Sequence, residues 1–181
     1  MQEIKTFKQS ELVLKINRAY NTNRLDLSAW KPYINRLCGD RVYQKEAIEA
    51  AIIYLASGQY TALKDLAEYN YSLNTCLRDK YSSLEEFTKA LQMKNKLYAT
   101  IDLATGTGKS YVMYGISQIA LGLGIVKRVL VLCPSLTIES GLTDKFRELS
   151  GTSGLKALIP ENSLCKNPSI VSANETVSEG A

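Results

Sequence analysis

Four residues near the middle of the chain have the types and the spacing of a phosphate-binding loop: Gly106, Gly108, Lys109 and Ser110. Glycines let backbone N–H groups turn towards phosphate oxygens, because no Cβ stands in the way. A helix that begins directly after the loop adds a partial positive charge at its N-terminus. In such a loop the lysine contacts the β- and γ-phosphates, and the hydroxyl of the following serine binds Mg²⁺. The spacing therefore predicts that Lys109 is the catalytic cation and that Ser110 is the magnesium ligand.

The segments on both sides of the loop fit a strand–loop–helix unit. Residues 97–103 are mostly apolar and partly β-branched, which is typical of a buried parallel strand. After the loop, apolar residues recur at helical spacing, at Val112, Ile116, Ile119 and Leu123. A glycine-rich turn with a chance Lys-Ser pair is the alternative, but this placement favours nucleotide binding. The predicted nucleotide-binding residues of the loop are Thr105, Gly106, Thr107, Gly108, Lys109 and Ser110.

The loop departs from the general pattern G-x-x-x-x-G-K-[ST] at one position. The first glycine of that pattern would stand at position 103, where this chain has Leu103. The remaining Ala-Thr-Gly-Thr-Gly-Lys-Ser segment resembles motif I of the superfamily 2 (DEAD/DEAH-like) helicases and translocases. It is most similar to the motor subunits of type III and type I restriction enzymes. The resemblance implies ATP and Mg²⁺ as cofactors and a RecA-like parallel sheet.

A second resemblance lies upstream, in the segment from Arg41 to Ile48, which reads R-V-Y-Q-K-E-A-I. Restriction-type motors carry an R-x-Y-Q-x-E-A-I segment ahead of motif I, and its glutamine contacts the adenine edge. A side-chain amide suits this task, because it offers a donor and an acceptor side by side. The resemblance makes Gln44 the candidate adenine reader. The alternative is a surface glutamine at the start of a helix, which the apolar spacing predicts over residues 41–58.

A third resemblance follows the loop helix. Residues 127–133 read as an apolar run led by two cations, Lys127 and Arg128, which predicts a second parallel strand reached through a helical crossover. The stretch from Leu130 to Leu136 looks like motif Ia, whose loop contacts the sugar-phosphate backbone of nucleic acid. By that match the nucleic-acid contacts are Pro134, Ser135 and Thr137. Ser135 could equally be the cap of a helix over residues 135–149.

The predicted fold is α/β: an incomplete RecA-like parallel sheet with a phosphate loop. Residues 1–40 are predicted as a helical lead-in, because Leu12, Ile16 and Ala19 fall at helical spacing. Residues 41–181 are predicted as part of the first RecA-like domain, with short strands at 155–159 and 169–172. A helical insertion occupies about 59–96, and its tyrosines could stack on bases or simply pack half-buried.

Composition sets broad limits. The formal net charge is +4, which permits nucleic acid as a partner without arguing for it. The chain has no histidine, so histidine-based catalysis is excluded within it, and its four cysteines form no C-x-x-C pair, which disfavours a zinc site. The N-terminus has no apolar signal core, and no run approaches the ~20 apolar residues of a membrane span. We expect a cytoplasmic protein with no membrane contact.

The resemblance implies an ATP-dependent nucleic-acid motor, a helicase or translocase of the restriction or defence type. DNA is favoured over RNA, and a modification, specificity or other defence subunit is an expected partner. No Asp-Glu pair closes a predicted strand after Lys109, so we expect this chain to be the N-terminal, ATP-binding portion of a longer motor and to be inactive alone. A small kinase or GTPase is disfavoured by Leu103 and by the lack of an Asn-Lys-x-Asp stretch. An alternative outside the enzymes is a non-enzymatic nucleotide-binding module for DNA docking or assembly.

Overall fold

The computed structural model describes residues 6–172 and residue 175. In this part of the chain the regular structure is helical, with two short 3-10 turns at Gln9–Glu11 and Ser28–Trp30. The α-helices, in chain order, are α1 (Lys31–Cys38), α2 (Val42–Ala56), α3 (Leu63–Leu73), α4 (Thr75–Lys80), α5 (Leu84–Ala90), α6 (Lys109–Gly122), α7 (Leu136–Gly151) and α8 (Ser153–Lys156). None of the helices in the described ranges has the length and apolarity needed to cross a membrane.

The chain divides into two compact units. Unit 1 comprises Met1–Leu25 and Ile53–Asp102, and unit 2 comprises Asp26–Ile52 and Leu103–Ala181. The boundary therefore falls within α2. Each unit buries its own set of apolar side chains, and the phosphate-loop residues belong to unit 2.

Unit 1 contains the predicted helical insertion, and its helical character is confirmed. The helices α3, α4 and α5 occupy most of residues 63–90. Two apolar clusters hold them together, one around Tyr54 and Leu66 and the other around Ala67, Leu77 and Phe87. Phe87 packs against two tyrosine rings, with centroid distances of 6.1 Å to Tyr71 and 5.0 Å to Tyr81. These tyrosines thus take part in helix packing, as the simpler interpretation predicted.

The predicted helix around Leu12, Ile16 and Ala19 is wrong. Apart from the turn at Gln9–Glu11, residues 12–20 contain no helix, and burial alternates with a period of two along residues 12–16. Leu12, Leu14 and Ile16 pack on the clusters of unit 1, whereas Val13 is exposed. The Asn70 side chain accepts from the Lys15 N–H at 2.7 Å and donates to the Lys15 carbonyl at 2.9 Å, which fixes the backbone at Lys15. Three apolar residues at helical spacing led to the prediction of a helix, although side-chain burial in this segment alternates as it does in a strand. The helix of this region lies later, at α1.

Unit 2 is built on contacts of α6 with α1 and α7. Its core includes Tyr33, Ile34 and Ile48, and Ile119 of α6 is 0% exposed. Small residues allow this packing, because a Cβ on Gly115 would stand 2.7 Å from Ile48 Cδ1 and 2.8 Å from Leu37 Cδ2. The predicted helices over 41–58, after the loop and over 135–149 are confirmed as α2, α6 and α7.

The predicted parallel sheet is wrong: the described residues contain no strand. Residues 97–103 and 127–133 carry no regular structure, residues 155–159 form the end of α8 and a turn, and residues 169–172 are irregular. A buried parallel strand needs a paired neighbour on each side and helices over both faces. Here the helices pack on one another instead, and Leu130 and Leu132 remain 82% and 83% exposed. The two apolar segments that were predicted as strands therefore lie at the surface and form no strand–strand hydrogen bonds in the described structure.

Candidate phosphate-binding site

Two glycines shape the predicted phosphate loop. Gly106 has φ 79° and Gly108 has φ 74° and ψ 44°, which is the left-handed region that side-chain-bearing residues rarely adopt. A Cβ on Gly106 would meet nothing within 4 Å, so only backbone conformation requires glycine there. A Cβ on Gly108 would stand 2.7 Å from Gln44 Nε2, so both conformation and space require glycine at this position.

The loop ends where α6 begins, at Lys109. Its internal turn is closed by Thr107, whose Oγ1 donates to the Ala104 carbonyl at 2.6 Å. The Tyr111 N–H returns to the Gly108 carbonyl at 3.0 Å. In the described part of the chain, the N–H groups of Gly108, Lys109 and Ser110 donate to no protein acceptor. No side chain caps this helix start either. The loop therefore offers a row of free donors at the positive end of a helix dipole.

Three cations lie at or near this helix start: Lys109, Arg41 and Lys145. The Lys109 side chain is exposed. Tyr111, in the first turn of α6, has two cations over its ring: Arg41 Cζ lies 5.8 Å and Lys145 Nζ 5.6 Å from the centroid. Lys145 also forms an ion pair with Glu148 at 2.6 Å, and this hydrogen bond raises the pKa of Lys145. The side chains nearest to Tyr111 thus favour an anion over a cation at this end of α6.

Two side chains at the start of α2 contact the loop from inside unit 2. Gln44 Nε2 donates to the Thr107 carbonyl at 2.6 Å and lies 3.4 Å from the Gly108 carbonyl. The Tyr43 hydroxyl donates to the same Thr107 carbonyl at 3.1 Å. Gln44 is 0% exposed, and its Oε1 is buried with no hydrogen-bond partner in the described structure. The resemblance made Gln44 the candidate adenine reader, and that role stays a prediction; in the structure its amide faces the loop backbone.

The three predicted nucleic-acid residues lie at the start of α7. Ser135 is the N-cap of this helix, and its Oγ accepts from the Ile138 N–H at 3.4 Å. Pro134, Ser135 and Thr137 are all exposed. The capping role that the sequence left open for Ser135 is therefore confirmed, and it leaves the serine at the surface.

A family model for the type III restriction enzyme, res subunit (ResIII) matches residues 38–176. The chain belongs to this family. The match confirms the resemblance to the N-terminal part of superfamily 2 motors of the Res type. ResIII proteins are helicase-like, ATP-dependent motors that interact with nucleotide and nucleic acid. No curated protein and no solved structure matched the chain.

The residues of this ResIII chain fit the phosphates of ATP. The free N–H groups, the two left-handed glycines and exposed Lys109 are the donor set that phosphate oxygens need. For magnesium the loop offers one ligand, the half-buried Ser110 hydroxyl. Within the described ranges no group of three or more Cys, Asp or Glu side chains is arranged to hold a metal ion. Other magnesium ligands would be phosphate oxygens and water.

Sequence reasoning assigned no role to Tyr43. The tyrosine stands next to Gln44 in the segment that resembles the restriction-type motors, and its hydroxyl reaches a carbonyl 64 positions away. The position of Tyr43 in that segment was the sequence feature that could have indicated its contact with the loop. Tyr111 was also missed, because a cation over its ring depends on α6 meeting α7 and the residue that precedes α2, and not on local spacing.

Proposed function

We propose that this ResIII chain is the ATP-binding portion of an ATP-dependent DNA helicase or translocase of the restriction or defence type. The observation that carries the proposal is the start of α6. There, N–H groups with no protein acceptor in the described structure and the exposed ammonium of Lys109 follow two glycines with positive φ. Family membership supports ATP as the nucleotide.

In this proposal each loop residue has a separate task. The N–H groups of Gly108, Lys109 and Ser110 bind the phosphate oxygens, and the Lys109 ammonium neutralises the charge on the β- and γ-phosphates. The Ser110 hydroxyl would hold Mg²⁺, which would help to neutralise the charge of the phosphates. Arg41 and Lys145, over the ring of Tyr111, add positive potential near the same helix start.

The proposed nucleic-acid contact lies at another exposed helix start of unit 2, that of α7. Pro134, Ser135 and Thr137 are exposed at the beginning of α7, where the helix N-terminus favours a phosphate group. Backbone contacts of this kind carry no sequence information. Any sequence preference of the motor would then come from other parts of the assembly, such as a specificity subunit.

The decisive variant is Lys109→Ala. It removes a charge-assisted contact to phosphate, so we expect ATP affinity to fall by about 10- to 100-fold. Lys156→Ala is the matched control, since Lys156 is an exposed cation in the last turn of α8. Isothermal titration of both variants with ATP–Mg²⁺ measures the effect. Equal affinity of Lys109→Ala and the wild type would refute the phosphate-loop assignment.

Turnover separates a motor from a docking module. ATP hydrolysis is measured on the natural protein that contains this sequence, with and without duplex DNA. DNA-stimulated turnover that Lys109→Ala abolishes supports the motor. ATP binding without any turnover supports the non-enzymatic module instead.

A further inference from the structure

Four side chains of unit 1 bind the backbone of residues 11–19, which we call the arm. Asn70 forms two of these bonds, because its Oδ1 accepts from the Lys15 N–H at 2.7 Å and its Nδ2 donates to the Lys15 carbonyl at 2.9 Å. The other three bonds measure 2.8 to 3.0 Å: the Asn74 and Gln59 amides donate to the Glu11 and Ala19 carbonyls, and the Tyr60 oxygen accepts from the Asn17 N–H. Within the described residues, no backbone–backbone hydrogen bond joins residues 13–19 to another segment. Side chains that bind its main chain therefore hold the arm.

The side chains of the arm alternate between contact with unit 1 and exposure. Leu12, Leu14 and Ile16 are half-buried and pack on the two apolar clusters of unit 1. Val13 is 53% exposed, and Lys15 is exposed as well. Bonds to the main chain do not depend on sequence, whereas apolar contacts at alternate positions select among sequences. The surface that binds the arm, which we call the arm site, therefore fits a segment with apolar side chains at three alternate positions.

Asn70 is the residue of the arm site that points to recognition of a main chain. It lies on the buried face of α3 with Leu63, Leu66 and Ala67, and it is 4% exposed. Asparagine is a poor helix former, and a buried amide costs stability unless it is paired. Its Nδ2 donates to the Leu66 carbonyl at 2.8 Å, and its further hydrogen bonds are those to Lys15. Packing alone favours an apolar residue here, so the asparagine fits a site that binds a peptide unit.

The helices of unit 1 form the arm site without help from the arm. The helix α3 contacts α4 and α5 directly. The buried members of the two clusters, from Tyr54 to Phe87, all come from those helices and the residues that precede them, and the arm adds half-buried side chains on top. The arm also lies outside residues 38–176, which match the ResIII family. Departure of the arm would therefore uncover a site that is already built.

We propose that the arm site is a docking site for a partner protein, which binds through a segment with apolar residues at three alternate positions and displaces the arm. The inference concerns unit 1 and does not depend on nucleotide binding. Exchange of arms between two copies of the chain gains no new contact, whereas residues that flank a partner's segment add contacts of their own. The arm lowers the apparent affinity for the partner, because only the fraction of sites without the arm is open.

The test uses a fluorescent synthetic peptide with the sequence of residues 8–20 and the 181-residue chain. Leu14→Ser in the protein weakens the arm, and Val13→Ser, at an exposed position, is the matched control. Fluorescence anisotropy should show that Leu14→Ser binds the peptide about 5- to 10-fold more tightly than the wild type, because the arm has lost a half-buried leucine. Val13→Ser should bind like the wild type. Equal affinity of all three proteins would overturn the inference.

Variants of the peptide test the same site without a further change in the protein. With the Leu14→Ser protein, a peptide that carries Leu14→Ser should bind about 5- to 10-fold more weakly than the parent peptide, and one that carries Val13→Ser should bind equally. A peptide that keeps only Leu12, Leu14 and Ile16 and has other residues at the exposed positions should still bind. Loss of its binding would show that the site accepts this arm alone and would overturn the partner role.

Tyr60→Phe shows whether the peptide occupies the arm site. In the Leu14→Ser protein it removes the acceptor of the Asn17 N–H and keeps the ring in its cluster. We expect peptide affinity to fall about 5-fold, the loss of one net hydrogen bond. Ile16→Ser is a second way to weaken the arm and should reproduce the tighter binding of Leu14→Ser. Unchanged affinity in Tyr60→Phe would place the peptide elsewhere and refute the inference.

Sedimentation separates a partner protein from a second copy of the chain. The wild type should form no dimer that Leu14→Ser abolishes as the protein concentration rises. A concentration-dependent dimer that Leu14→Ser abolishes and Val13→Ser retains would assign the arm site to a second copy and overturn the partner role.

Discussion

At the scale of single residues, the Cys38 thiol at the end of α1 is a buried group with a raised pKa. The side chain is 0% exposed, and burial raises the pKa of Cys38 to about 11, although Lys45 and Arg41 act in the opposite direction. We expect the native protein to leave Cys38 unmodified by a thiol reagent at pH 8, because little thiolate forms and access is closed. Mass spectrometry of the labelled native and urea-unfolded protein measures this. Rapid native labelling of Cys38 would contradict its burial.

The raised pKa of Cys38 also gives stability a pH dependence with a definite sign. The unfolded thiol, with a pKa near its usual 9, loses its proton first as the pH rises, whereas the folded thiol keeps it until about 11. Its contribution to the free energy of unfolding is therefore complete below about pH 9 and lost as the pH approaches 11. Burial also raises the pKa of Tyr33 and Tyr114, which act in the same sense. Cys38→Ala lacks this thiol. When the pH rises from 8 to 10.5, its free energy of unfolding, measured with urea, should therefore fall less than that of the wild type. Parallel losses would show that Cys38 does not contribute.

At the scale of elements, two helical glycines should respond in opposite ways to alanine. A Cβ on Gly122, at the end of α6, would stand 2.6 Å from the Trp30 ring and 2.6 Å from Ser163 Oγ. Trp30 is 2% exposed and cannot move aside, so Gly122→Ala should cost about 1–3 kcal/mol. On α7 a Cβ on Gly141 would meet nothing within 4 Å, so Gly141→Ala should gain about 0.5–1 kcal/mol. Thermal unfolding measures both. A stabilised Gly122→Ala would contradict the close contact with Trp30.

Helices and strands were not equally predictable from this sequence. A helix satisfies its own backbone, so the spacing of Ile48, Ile52 and Leu55 was enough to predict α2. A strand depends on partners elsewhere in the chain, and the apolar run that contains Leu130 and Leu132 carries no information about whether those partners are present. Residues 12–16 were misread for a related reason: their period of two is imposed by the unit 1 clusters they cover.

The candidate site shows the same limit. The spacing of the residues after the loop predicted the helix that follows, since helical spacing is a local property. The contact of Tyr43 and Gln44 with Thr107 joins segments 63 and 64 positions apart. Resemblance to restriction-type motors predicted that Gln44 belongs to the site. Only the packing of α2 shows that its amide faces the loop backbone.

At the scale of the whole molecule, the chain divides into two units. We expect each unit to unfold locally without unfolding of the other. Phe87 is 4% exposed in the core of unit 1, so Phe87→Ala should remove about 3–5 kcal/mol from that unit. Amide hydrogen exchange should accelerate in α3, α4 and α5 and stay unchanged in α6. Uniform acceleration across both units would show a single cooperative structure.

The exposed run from Val129 to Cys133 has a consequence for the behaviour of the protein in concentrated solution. It contains five residues with no charge and no proline, a composition typical of segments that pair edge to edge into aggregates. Lys127 and Arg128 precede the run and Pro134 ends it, and such flanking cations and prolines act as gatekeepers against self-pairing. Pro134 therefore bears on solubility as well as on the proposed contact with nucleic acid. A substitution of Pro134 that is made to study DNA binding would therefore also remove a residue that opposes aggregation.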